Sequence, residues 1–281
     1  MNENLNTTRP KLASPWVYFL ATYIWSCLFG GIAIVAGLSM ETAIGLVLVL
    51  LAAIGPMVMG IAFTYLTRDK TGRKDYWKRI IDFKRIPAKW YLIILLFVPI
   101  LNSLAALLDK LAGGSGATWG EAVPNFLTNP SSIILSILFA SLFPFIEELG
   151  WRGYVLDRLQ EKYSALVSSL ILGTVWSLWH LPTFFIQGSY QASLGIGTSA
   201  FWSFFAGIIP LNFAFTWIYN NTSRSTLAVI LFHSMVNFTG ELIALSERAD
   251  TLSIALWFVV AVGITIYWSV KTPVRQKEAY L

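Results

Sequence analysis

The chain has 281 residues, 56% of them apolar and only 12% charged, with a mean hydropathy of +0.64. That balance excludes a water-soluble globular domain or a disordered chain and points to a polytopic membrane protein. The net charge of +5 gathers between the apolar runs and no basic-aromatic groove is visible, so the partner it implies is membrane lipid and not nucleic acid.

Apolar runs of membrane-spanning length fall near residues 16–38, 43–66, 91–108, 131–151, 164–182, 199–219, 225–245 and 252–270. They predict an all-α polytopic fold of eight transmembrane helices, in a single integral membrane domain covering 1–281. The first run follows Arg9 and Lys11. It is too long for the apolar core of a signal peptide and lacks a small-residue cleavage site, so it reads as a retained anchor. Its Cys27 is the sole cysteine, which rules out an intramolecular disulfide.

Between the second and third runs, residues 67–90 carry nine Lys or Arg, from Arg68 to Lys89, against three Asp. The positive-inside bias puts this loop in the cytoplasm. Alternation then places there the N-terminus, the stretch with Arg152, Arg158 and Lys162, the turn at Arg224, and the tail with Lys271, Arg275 and Lys277. Both termini are expected to be cytoplasmic. The bias alone accounts for this loop, although its charge would also suit anionic lipid or an acidic peptide.

The fourth run, from Ser131 to Phe145, leads into Glu147-Glu148-Leu149-Gly150-Trp151-Arg152. An ionisable side chain at bilayer depth costs from about 2.5 to more than about 10 kcal/mol unless paired or wetted, so it is a functional candidate by default. Residues four apart share a helix face, so Glu148 and Arg152 pair and leave Glu147 with no local partner. Pro144 removes a backbone donor and is expected to bend the helix near Ala140.

In the fifth run His180 closes Trp176-Ser177-Leu178-Trp179-His180. If the fourth helix continues past Arg152 and turns near Tyr163 and Ser164, residues 147 and 180 are equidistant from the turn and lie level, roughly 25 Å above it. Ser169, Gly173 and Ser177, a small residue every four positions, predict close approach of the fifth helix to the fourth. The seventh run carries His233-Ser234-Met235-Val236-Asn237, an imidazole and a carboxamide on one helix face. Alone, such a pair also suits interhelical hydrogen bonding. No internal repeat of the kind transporters carry is visible.

Taken together these residues make the chain resemble the type II CAAX prenyl endopeptidases and their bacterial relatives, the CPBP or ABI family, which is also linked to bacteriocin processing and self-immunity. The EExxxR motif matches Glu147, Glu148 and Arg152. FxxxH matches Trp176 to His180, with Trp in place of Phe, an exchange expected to affect packing and not chemistry. HxxxN matches His233 and Asn237. The motif-bearing core covers about 130–245.

The resemblance implies an intramembrane endopeptidase of a bacterial cell membrane, with its active site between helices 4, 5 and 7 and a hydrophobic or lipidated peptide as substrate. Residue chemistry supports hydrolysis, since a carboxylate and an imidazole on facing helices can hold a water and take its proton. Glu147 would be the general base, His180 would position the water, and His233 and Asn237 would donate to the oxyanion. Glu148 and Arg152 would support the helix carrying the base. No cofactor is expected, because no HExxH spacing exists. Zinc is the open alternative, with Glu147, His180 and His233 as its ligands. The rival classes are a non-hydrolytic immunity or binding protein and a proton-coupled transporter.

Overall fold

A computed structural model describes residues 12–278, and from 271 onward only the backbone. Arg9 and Lys11, and the side chains of Lys271, Arg275 and Lys277, on which part of the expected orientation rests, lie outside the described residues. The apolar runs become helices whose ends follow local chemistry. Helix α1 (Pro15–Val35) begins on a proline, whose missing N–H would be unpaired there anyway. The second run is broken into α2 (Ala43–Ala53) and α3 (Gly55–Thr67), with Pro56 in the first turn of α3.

The basic stretch after it is not a loop. Asp69 accepts a hydrogen bond from the Gly72 N–H at 2.8 Å and caps α4 (Lys70–Ile81), which buries Tyr76, Arg79 and Ile80. Helix α5 (Ala88–Leu111) buries Trp90, Ile94, Val98, Leu101 and Ala105 at helical spacing and exposes Leu92, Leu95, Leu96 and Ile100, an apolar face suited to lipid. After the short α6 (Ala122–Thr128), α7 (Ser132–Gly150) passes through a π-helical turn (Trp151–Val155) into α8 (Leu156–Gln160). The fourth helix therefore does continue past Arg152. Ser164 caps α9 (Ala165–Trp179), completing the expected hairpin.

Helices α10 (Tyr190–Leu194), α11 (Ser199–Asn221), α12 (Thr226–Leu242) and α13 (Glu247–Glu278) complete the chain. Strands β1 (Ala117–Trp119) and β2 (Ile243–Leu245) pair antiparallel where α5 and α12 end. Among the described residues seven helical stretches are long and apolar enough to cross a membrane, with α2 and α3 counted as one. The eighth apolar helix, α12, has only 17 residues. At 1.5 Å per residue that is about 25 Å, short of the roughly 30 Å hydrocarbon core. The protein is an all-α polytopic membrane protein.

Helix α7 packs against α3 on one side and α12 on another, while α9 packs against α11. At the α3–α7 crossing a Cβ on Gly150 would lie 2.2 Å from the Pro56 carbonyl oxygen, and one on Gly60 would lie 2.8 Å from the Gly150 Cα. Glycine at both positions is what lets these backbones touch. The Ser169-Gly173-Ser177 stripe does the same for a different pair from the one expected. It faces α11: the Asn212 amide donates to the Ser169 carbonyl at 2.7 Å, Ser177 Oγ donates to the Phe205 carbonyl at 3.2 Å, and Gly173 sits against Ile209 and Asn212. A small-residue face shows that some helix comes close. It does not show which one.

Candidate active site

Helices α7 and α9 run antiparallel and meet through long side chains. Glu147 is buried, and its Oε2 accepts a hydrogen bond from the Trp176 indole N–H at 2.6 Å. Trp176 is the aromatic residue of the histidine motif, so the expectation that its identity bears only on packing is corrected: a phenylalanine has no N–H to offer. Three further groups surround the indole, with His233 at 5.3 Å between ring centroids, Phe215 at 5.5 Å, and the Arg152 guanidinium 5.1 Å from the ring centre.

His180 follows the last residue of α9, where Pro182 stops the helix. Its Nδ1 lies 2.9 Å from the Trp176 carbonyl oxygen. A carbonyl only accepts, so Nδ1 carries the hydrogen and the neutral ring presents the lone pair of Nε2. The ring packs against Trp176, Trp179 and Phe204 at 5.8, 5.0 and 5.3 Å.

Glu148 and Arg152 pair as their spacing predicts, one guanidinium nitrogen lying 3.0 and 2.9 Å from the two carboxylate oxygens, and neither residue reaches the surface. Two partners beyond that pair come from other helices. His233 Nδ1 is 2.9 Å from Glu148 Oε1, and the second terminal nitrogen of Arg152 donates to the Asn212 side-chain oxygen. The pair therefore ties α7 to α11 and α12 as well as bracing its own helix. Asn237, one turn beyond His233, donates to the Ala140 carbonyl at 3.3 Å. Pro144 cannot supply the i+4 N–H that this carbonyl would otherwise receive. α7 runs through Pro144 without interruption, with Asn237 standing in for the missing donor.

Asn212 escaped the sequence reading although it is a polar residue within an apolar run, the signal that singled out Glu147. A second buried cluster also escaped it. Asp157 on α8 accepts from Arg68 at 3.0 Å, Arg79 at 2.8 Å and the Tyr219 hydroxyl at 2.8 Å, and it pairs with Arg224. Burial works against the Arg79 charge, yet Tyr219 and Asp157 beside it outweigh that and hold its pKa above the usual arginine range.

Among the described residues no three His, Cys, Asp or Glu side chains are grouped closely enough to hold a metal ion. Each imidazole uses Nδ1 for an oxygen acceptor and leaves Nε2, the nitrogen by which a histidine so held would ligate, open. A cavity of about 240 Å³ lies beside the site, lined in part by Phe204, which touches His180, and by Val236, which precedes Asn237.

Residues 129–239 match the model of a family described as type II CAAX prenyl endopeptidase Rce1-like. That stretch contains Glu147, Glu148, Arg152, Trp176, His180, His233 and Asn237. The chain is also similar to CAAX prenyl protease 2 of Methanococcus maripaludis, with 30% identity over 260 residues that cover 90% of this chain and 94% of that protein.

Proposed function

Because this chain belongs to the type II CAAX prenyl endopeptidase family, and is an integral membrane endopeptidase, we propose that it hydrolyses its substrate with a water activated by Glu147. The observation that carries this mechanism is the placement of a buried carboxylate and an imidazole on one shared residue, Trp176. Glu147 Oε1, free of the indole, and His180 Nε2 are the two acceptors that would hold the water. Glu147 takes a proton as the water oxygen bonds to the scissile carbonyl carbon, and returns it to the leaving amine when the peptide C–N bond breaks.

The oxyanion formed between those steps needs donors. Asn237 has one amide N–H committed to Ala140 and one left. His233 can donate through Nε2 only as the imidazolium, because Nδ1–H faces the Glu148 carboxylate. That imidazolium would share the Glu148 carboxylate with Arg152. No step requires a metal, and activity after exhaustive chelation should equal that before.

The relative's name describes a protease acting on CAAX prenyl proteins. We take the substrate here to be of that kind, a peptide carrying a lipid group, which suits a site built between membrane helices. The basic α4 supports a cytoplasmic position for the end of the molecule where it lies, and with it for both termini. Glu147→Gln tests the mechanism. Cleavage of a lipidated peptide should fall by at least about a hundredfold, the lower range for loss of a general base, while the thermal unfolding midpoint stays in place. Retained cleavage would refute the role of Glu147. A non-hydrolytic immunity protein or a transporter would cleave nothing in either form.

A further inference from the structure

We infer that Trp176 is a positioning residue that sets the Glu147 carboxylate and the His180 imidazole relative to each other, using its side chain for one and its main chain for the other. The inference rests on the proposal that these two groups hold the attacking water.

Two local features make the double role possible. Among the described residues the indole N–H is the one hydrogen-bond donor on the Glu147 side chain, and it holds Oε2, which leaves Oε1 as the oxygen for water. The donor is itself packed on its faces: Trp176 is 2% exposed, with Arg152 over its ring and Phe215 and His233 against it. The second feature lies in the backbone. In a regular helix the Trp176 carbonyl would accept from the His180 N–H, but here that N–H turns to the Ser177 carbonyl at 3.1 Å. The tightened last turn releases the Trp176 carbonyl for the imidazole Nδ1 of the same histidine. A rotation of Trp176 would therefore move the base and the imidazole together. A phenylalanine at 176 could keep the packing and the carbonyl but would leave Glu147 free to turn.

The test compares the wild-type enzyme with Trp176→Phe and with 3-benzothienylalanine at 176, which keeps the bicyclic shape and replaces the N–H by sulfur. Both should lower kcat by about tenfold to a hundredfold, the range for a hydrogen bond to a charged group, with KM unchanged and the protein still folded at the assay temperature. In protein labelled with 15N-indole, the resonance that disappears in Trp176→Phe should shift in Glu147→Ala. Either substitution leaving kcat within twofold of wild type, a loss confined to KM, or an indole resonance indifferent to Glu147→Ala overturns the inference. Activity surviving in Glu147→Gln would instead refute the underlying mechanism, so the two failures are distinguishable.

Discussion

Glu148 and Arg152 are both inaccessible to solvent and bind each other, yet their interactions extend to three helices. A buried ion pair adds little net stability when intact, but removing one member strands the other charge. Arg152→Ala should therefore lower stability by about 3–5 kcal/mol, read as a drop in the unfolding midpoint of detergent-solubilised protein. Asn237→Ala should cost about 1–3 kcal/mol through the unsatisfied Ala140 carbonyl, in addition to any loss of catalysis. The spacing of residues 148 and 152 made their pairing legible in sequence. The contact between Trp176 and Glu147 was not, because it depends on how two helices are rotated about their axes.

Between elements, close approach depends on residues with nothing to clash. Gly150→Ala would drive a Cβ into the Pro56 carbonyl, which no side-chain movement can relieve, and should destabilise the α3–α7 crossing by about 1–3 kcal/mol in the same unfolding measurement. Helix α4 shows a second kind of junction. Its basic residues satisfy the positive-inside bias, but Arg79 turns inward to Asp157, which also holds Arg68 from the end of α3 and Arg224 from the α11–α12 turn. Asp157→Asn leaves these guanidinium groups facing one another and should cost about 3–5 kcal/mol. Arg224→Ala should cost much less, because Arg224 is 53% exposed and its charge is largely screened by water. Equal midpoint losses for these two variants would count against Asp157 as the hub.

For the molecule as a whole, orientation follows from where α4 lies. A cysteine introduced at Lys78 should react with a membrane-impermeant maleimide only from the cytoplasmic face of sealed vesicles, with Cys27 replaced to remove background. Reaction from the opposite face alone would invert the proposed topology. The shortness of α12 also belongs to this scale. A helix of 17 residues that is largely buried against α5, α7 and α11 does not need the length of a lipid-facing span.

The amino-acid sequence determined the class of the protein, the number of apolar helices, the continuation of the fourth helix past Arg152 and three of its ionisable residues, Glu147, Glu148 and Arg152, though not Asp157. Each of these follows from a sum over neighbouring residues: the transfer of a segment into lipid, or the period of a helix, takes no account of distant partners. Tertiary structure alone decided which faces meet. It turned Ser169, Gly173 and Ser177 toward α11, gave Glu147 an indole donor, placed Asn237 under the carbonyl that Pro144 leaves open, and joined Arg79 to Asp157. Those contacts depend on the rotation and separation of whole helices, which the packing of the bundle settles and no local stretch of sequence encodes.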